Sequence, residues 1–512
     1  MDYYNAATDL LDRNLPGRAA KIAVIDDHGS YTYQEVADGV DRFAGYLTSL
    51  GLPAESRVLL CLEDSVSFPI VCLGAIKAGL VPVMVNPLLT SADFDYMLRD
   101  SRARMLVASP CAWPALASAI ADQPALQHIV IAGDNIPAEA TGLANALAAA
   151  TPLRTAAATR ADEPCLWQYS SGTTGRPKGT IHAHGNVRAL TAAYPRSVLD
   201  LSADDITFSA AKLFFGYGFG NGLVFPFSVG ATAILMAGRP TADEVWRRLR
   251  DHAPTIFFGV PTLYALLLNA PTQPAAADLA LRLCTSAGES LPRSIGEAWH
   301  EQYGIHILDG IGSTEMFHIF LSNRPGDVRY GTTGRPIDGY NVRLVDETGV
   351  EVADGEVGEL QVKGPTSALG YWCNREKTQA TFLGEWTRMG DRFRRDESGR
   401  FVYCGRSDDM LKVSGIYVSP FEVEDALRSH EAVAEVAVVG WADDQGLIKP
   451  KAFIVLREAF EPAEAMRAAL KAHVKEQLAP YKYPRWFDFL DALPKTPTGK
   501  IERYKLRQLP PT

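Results

Sequence analysis

The chain has 512 residues, 47% of them hydrophobic, enough to bury large cores and to divide into more than one domain. A formal charge of -10 excludes the broadly basic face that a nucleic-acid partner needs, so a small anionic substrate would require a locally positive site. Apolar runs are broken by charge or proline short of the roughly 18 residues of a membrane span. Met1 is followed by Asp2 rather than a basic leader, and the seven cysteines are scattered without CxxC spacing. The reading is a cytoplasmic globular protein with buried, inert thiols and neither a disulfide framework nor a zinc site.

Thr32 and Glu35 form a predicted capping box ahead of Val36, Val40, Phe43 and Leu47 at helical spacing, and Gly51 ends that helix. "RVLLCL", "VCLGAIKAG" and "VPVMVN" follow as strand, crossover helix and strand. The alanine-rich stretch from Ala138 to Ala161 reads as a weak helix and linker. Next comes "YSSGTTGRPKG", residues 169–179, in which glycines let backbone N–H groups turn inward, hydroxyls add donors and Lys178 adds positive charge. That chemistry suits phosphate oxygens. The P-loop pattern is not met, because counting on from Gly172 reaches Pro177 where glycine is required. "TIFFG", "LRLCTSAG" and "IHILDGIG" are apolar strands ending in turn residues, as expected where ligand loops leave the carboxyl ends of parallel strands.

After the last of these strands, "GIGSTE" places a hydroxyl and the Glu315 carboxylate in a turn, and a carboxylate beside phosphates points to magnesium. From about Asp338 short strands and tight turns predict a small β subdomain. "MGDRF" offers Asp391, which can accept from both ribose hydroxyls, "GRSDDMLKVSG" offers Arg406 and Asp408, and "PKTPTGKIER" offers Lys500. Between the last two, "SPFEVEDALRSH", "VAEVAVVGW", "KAFIVL" and "AEAMRAALKAHVKEQL" predict a second, α+β domain. Singly each motif also fits a plain role: a first-turn carboxylate, an ion pair, a solvated basic tail.

Their joint order resembles the adenylate-forming enzyme superfamily over the whole chain. Within it, "NAATDLLDRN", "KLFFGYGFGN", "RYGTTGRP" and "YWCNREKTQATF" are similar to the benzoate-CoA ligase group. The resemblance implies an α/β fold with a large N-terminal domain of doubly wound sheets over 1–404, including the β subdomain over about 335–404. A hinge over 405–415 and a small mobile α+β C-terminal domain over 416–512 would follow. It implies an AMP-forming ligase that makes a benzoate-type CoA thioester from acid, ATP and CoA through an aroyl-adenylate, with no membrane partner and a possible homodimer.

Position by position, the resemblance assigns Ser170, Ser171, Gly172, Thr173, Thr174, Gly175 and Lys178 to the triphosphate, Thr314 to the α-phosphate and Glu315 to Mg2+. It assigns Ala287, Gly288 and Glu289 with Asp309, Gly310 and Ile311 to adenine, and Asp391 and Arg406 to ribose. Many relatives carry an aromatic residue where this chain has Ile311. Lys500 would stabilise the charge that develops during adenylation, Asp408 would be the hinge, and Lys412, Ser414 and Gly415 would line the CoA tunnel. Gly216, Tyr217, Gly312, His318 and Ile319 would contact the aryl ring. His318 is expected beside the carboxylate and not as a base, since the acid is already ionised. Benzoate ligases usually carry alanine at the position of Gly216, so either a methyl-sized space for a hydroxyl or amino substituent is expected there, or Gly216 only relieves backbone crowding beside Phe215 and Tyr217. Rival readings are an enzyme loading an aryl acid onto a carrier protein, a ligase for another small acid, and a non-catalytic nucleotide sensor. The sensor reading predicts decay at Lys500, Glu315 or Asp408, and all three are in place.

Overall fold

Thr32 Oγ1 accepts from the Glu35 N–H at 3.2 Å and the Glu35 carboxylate accepts from the Thr32 N–H at 2.7 Å, which closes the capping box on a helix over Tyr33–Ser49. Val36, Val40, Phe43 and Leu47 form its buried stripe, and left-handed Gly51 (φ 65°) lies just past its end. The computed structural model describes residues 3–170, 177–407, 411–413, 416–443, 448–478, 482–495 and 501–509, apart from the side chains of 412, 416 and 417. The chain forms two compact units. One comprises Met1–Tyr330, Pro336–Asn341 and Val362–Thr387, the other Gly331–Arg335, Val342–Gln361 and Arg388–Thr512.

The first unit holds two sheets, in a mixed α/β arrangement. In one, Arg57–Cys61 runs parallel to Val81–Met84 on one side and to Met105–Ala108 on the other, with the helix Ser67–Lys77 as the crossover. Val81–Met84 pairs with Pro164–Ser170, the chain returns antiparallel as Lys178–Ala183, and Gly370–Tyr371 adds to that strand. In the other sheet Ile206–Ser209, Ile256–Gly259, Leu283–Ser286 and Ile307–Gly312 are successive parallel neighbours. Their near-continuous apolar character follows from burial on both faces, against a cluster that includes Phe208, Phe257, Tyr264, Trp246 and Trp299. The carboxyl ends of these strands therefore carry the loops "SAGE" and "GSTE". Between the sheets in sequence, the alanine-rich stretch yields one short helix, Leu143–Ala149.

In the second unit, Asp391–Arg395 pairs antiparallel with Phe401–Arg406. Farther along, Val433–Ala442, Ile448–Leu456 and Trp486–Phe489 form a three-stranded sheet. The helices Pro420–Arg428 and Glu464–Gln477 bury Val423, Leu427, Leu470 and Val474 in one core with Val436, Val438 and Ile454. A buried carboxylate, Glu424, is compensated by Arg503 at 2.7 Å. Among the described residues no helix is long and apolar enough to cross a membrane. The expectation of buried thiols needs correction at two positions, because Cys111 and Cys373 are exposed.

Candidate functional site

The phosphate-loop residues 171–176 lie outside the described residues, and with them Ser171, Gly172, Thr173, Thr174 and Gly175. Ser170 and Lys178, which flank that segment, are direct partners across an antiparallel pair of strands. The Ser170 hydroxyl is buried and has no hydrogen-bond partner among the described residues. Alternation along Lys178–Ala183 puts Lys178, Thr180 and His182 on one face, a pattern that could have drawn attention to His182 from sequence alone.

His182 is fully buried, its Nε2 lies 2.8 Å from the Thr314 carbonyl, and its ring stacks on Phe317 at 4.2 Å. Burial pushes the imidazole down to about 4, so it is neutral and Nε2–H donates to that carbonyl. Thr314 and Glu315 sit in the turn between Ile307–Gly312 and Ile319–Ser322, two strands that pair antiparallel. The turn is tight: a Cβ on Gly312 would come within 2.4 Å of the His318 carbonyl oxygen, and Phe317 takes a left-handed backbone (φ 68°). The Glu315 carboxylate accepts from the Tyr371 hydroxyl at 2.7 Å, and the same phenol lies 3.4 Å from Lys178 Nζ. Tyr371, like His182, belongs to none of the expected site residues.

Ala287, Gly288 and Glu289 follow the strand Leu283–Ser286, whose last residue is the register partner of Asp309. Two expected adenine segments, Ala287–Glu289 and Asp309–Ile311, thus leave adjacent strands together. Left-handed Gly288 (φ 88°) turns the first of them, and Glu289 accepts from the Thr262 hydroxyl at 2.9 Å. Asp309 is buried and burial raises its carboxyl well above the usual range.

The expected aryl contacts also come together. His318 Nε2 lies 3.2 Å from the Tyr217 carbonyl, and its ring packs edge-on to Phe225 at 4.6 Å and near Tyr217 and Tyr194. Burial pushes this imidazole down to about 3, which leaves it neutral with Nε2–H donating. The Tyr217 hydroxyl pairs with Thr285 Oγ1 at 2.6 Å, and Ile319 is buried beside them. Polar atoms of Gln168, Asn221, Ser286, Asp309 and His318 are buried here without partners among the described residues. So many unpaired groups in one neighbourhood mark a ligand or water site. Asn221 lies in a π-helical turn, Gly220–Val224, a device that recurs at functional sites.

The space expected beside Gly216 is not there. A Cβ on Gly216 would sit 2.9 Å from the Phe317 carbonyl oxygen and 3.1 Å from Gln168 Oε1, so this glycine admits a close approach of two backbones and leaves no methyl-sized gap for a ring substituent.

Asp391 and Arg406 belong to the second unit, where they are register partners joined by an ion pair of 3.2 Å. Lys412 lies in the strand Leu411–Val413, and Ser414, Gly415, Asp408 and Lys500 lie outside the described residues. Among the described residues no three metal-ligating side chains cluster. Glu315 Oε2 has no hydrogen-bond partner among them. One carboxylate oxygen fits Mg2+, which takes few protein ligands and completes its shell with phosphate and water, and does not fit zinc.

A family model described as AMP-binding enzyme matches residues 11–372, and one described as AMP-binding enzyme C-terminal domain matches residues 422–500. The chain is 57% identical to a benzoate–CoA ligase of Thauera aromatica over 98% of its own length and 96% of that protein's. It is 50% identical to a 4-hydroxybenzoate–CoA/benzoate–CoA ligase of Rhodopseudomonas palustris, over 99% and 94%. The crystal structure of a benzoate CoA ligase from Burkholderia xenovorans superposes with a TM-score of 0.92 at 52% identity, covering 98% of this chain and all of that one.

Buried neutral histidines make stability depend on pH. His182, His184 and His318 have folded-state values of about 4, 4 and 3, below the ordinary 6.5. As pH falls through 6.5 the unfolded chain binds protons that the folded chain refuses, so stability is intact above that value and is lost progressively towards 4. His318→Gln should lower the slope of unfolding free energy against pH in this window by about 1.4 kcal/mol per pH unit. Urea denaturation at several pH values measures it, and an unchanged slope contradicts the assignment.

Proposed function

The chain belongs to the AMP-binding enzyme family, and from that premise we propose that it is an AMP-forming aryl-CoA ligase acting on a benzoate-type acid. One observation carries the reading beyond the family: the turn that presents Thr314 and Glu315 continues into His318, packed on Tyr217 and Phe225, so aromatic side chains adjoin the residues proposed for the phosphates.

In the first half-reaction an oxygen of the acid attacks the α-phosphorus of ATP, the bond to the bridging oxygen breaks, and pyrophosphate leaves with its electron pair. In the second, CoA sulfur attacks the acyl carbon and AMP leaves. The acid arrives ionised, so no base is needed for its attack. The hairpin residues Ser170–Gly175 and Lys178 hold the β- and γ-phosphates, Thr314 the α-phosphate, Ala287–Glu289 and Asp309–Ile311 adenine, and Asp391 with Arg406 the ribose. Aliphatic Ile311 offers a flat contact in place of ring stacking. Glu315 holds Mg2+, which when bound neutralises phosphate charge. Lys500 meets the incoming carboxylate and the α-phosphate, where charge grows in the transition state.

The domain reading is part of the proposal: a body over 1–404, a hinge over 405–415 centred on Asp408, and a mobile domain over 416–512 that withdraws Lys500 after adenylation and brings Lys412, Ser414 and Gly415 to CoA. Gly216, Tyr217, Gly312, His318 and Ile319 form the ring pocket, lined by neutral groups. A reaction that draws on free ATP and CoA implies the cytoplasm.

Benzoate and its hydroxy and amino derivatives are expected to release pyrophosphate and then form CoA thioesters, while long-chain fatty acids are refused. Lys500→Ala should slow pyrophosphate release on the order of a hundredfold and leave thioester formation from supplied benzoyl-adenylate intact. Equal loss in both half-reactions, or turnover of fatty acids, contradicts the proposal.

Gly216→Ala probes the pocket separately. Because the added methyl meets the Phe317 carbonyl rather than open space, kcat/KM should fall for benzoate and its substituted relatives alike. A loss confined to substituted acids would show that the methyl enters the ring pocket.

A further inference from the structure

Lys178 and Glu315 carry opposite charges at two ends of the proposed triphosphate site. If they met directly they would neutralise each other and serve neither phosphate nor metal. Tyr371 stands between them. Lys178 Nζ lies 3.4 Å from the phenol oxygen and 4.4 Å from the ring centroid, and the hydroxyl is 2.7 Å from Glu315 Oε1. An ammonium can only donate, so the phenol oxygen accepts from Lys178 and its own hydrogen goes to the carboxylate. The direction of the chain is thereby fixed. A hydrogen bond to an ionised carboxylate is among the stronger ones, and this one occupies Oε1 while Oε2 has no partner among the described residues.

Tyr371 is itself firmly held. It is 6% exposed, pairs with Thr180 in the same hairpin strand that begins at Lys178, donates its N–H to Thr378 Oγ1 at 3.0 Å and packs edge-on to Phe382 at 5.5 Å. Three residues earlier, the Ala368 N–H donates to the Glu315 carbonyl at 2.8 Å. The short segment 368–371 therefore grips Glu315 by main chain and side chain together.

We propose that Tyr371 is a positioning residue for the nucleotide-bound divalent cation: its hydroxyl fixes the Glu315 carboxylate with one oxygen turned to the metal and stands between that carboxylate and the Lys178 ammonium. This rests on the ATP-binding half of the function proposed above and deepens it. A partner that orients a metal-binding carboxylate typically alters metal affinity by about 10- to 100-fold.

Tyr371→Phe keeps the ring and its contact with Lys178 and removes only the hydroxyl. ATP binding is measured by calorimetry on the full chain over a magnesium chloride titration, with no acid or CoA present. The magnesium concentration for half-maximal effect should rise about 10- to 100-fold, while ATP affinity without magnesium stays within about threefold of the parent, since the Lys178 ring contact survives. In a Glu315→Gln background, where the carboxylate has already been removed, Tyr371→Phe should add nothing. An unchanged magnesium requirement, or a loss that persists undiminished in the Glu315→Gln background, overturns the proposal. Because no acid is present, a chain that behaved as expected here and yet activated no aryl acid would count against the function and leave Tyr371's role standing.

Discussion

A buried imidazole, bonded across from one sheet of the larger unit to the other, stands at the place where its chemistry is expected. His182 lies next to the end of a strand of one sheet, Thr314 follows a strand of the other, and Nε2–H donates to the Thr314 carbonyl across them. Burial serves this bond. A solvated histidine would gain a proton near neutrality, whereas here the imidazole stays neutral, needs no counter-charge in the interior, and offers one donor to one acceptor. The stack on Phe317 holds the ring in plane, and the left-handed backbone at Phe317 lets the turn double back so that Glu315 and His318 both project from it.

Neutrality is the common property of the inner groups. His182 and His318 are pushed down and the Tyr217 phenol is pushed up by burial, so each is uncharged across the physiological range. An ionised acid entering such surroundings finds donors and aromatic edges but no competing charge. Lys178 and Glu315 are joined through Tyr371, on the side that the proposed function gives to the phosphates. In a chain whose net charge is -10, an anionic substrate would on that proposal be drawn to Lys178 rather than to these neutral groups.

Much of this was legible in the sequence because the signals are local. The Thr32 capping box, the crossover from Arg57–Cys61 to Val81–Met84 and the apolar strands before "SAGE" and "GSTE" depend on neighbouring residues, and they formed as read. Tyr371 was not legible as a site residue, since its partners Lys178 and Glu315 are 193 and 56 positions away and only the pairing of Gly370–Tyr371 with the hairpin strand unites them. His182 escaped for the same reason, its role being set by a carbonyl 132 positions distant. At Gly216 the sequence cannot separate space for a ligand from relief of crowding, because the nearest atoms belong to Phe317 and Gln168, residues far away in sequence.

The most direct test of the central claim, that this site activates an aryl acid as its adenylate, is isotope exchange between pyrophosphate and ATP. Exchange requires only the first half-reaction to run both ways. It is predicted to appear on adding benzoate or a close relative, to need magnesium, and to proceed without CoA. Exchange that required CoA, or that ran equally well without any acid, would contradict an aroyl-adenylate intermediate.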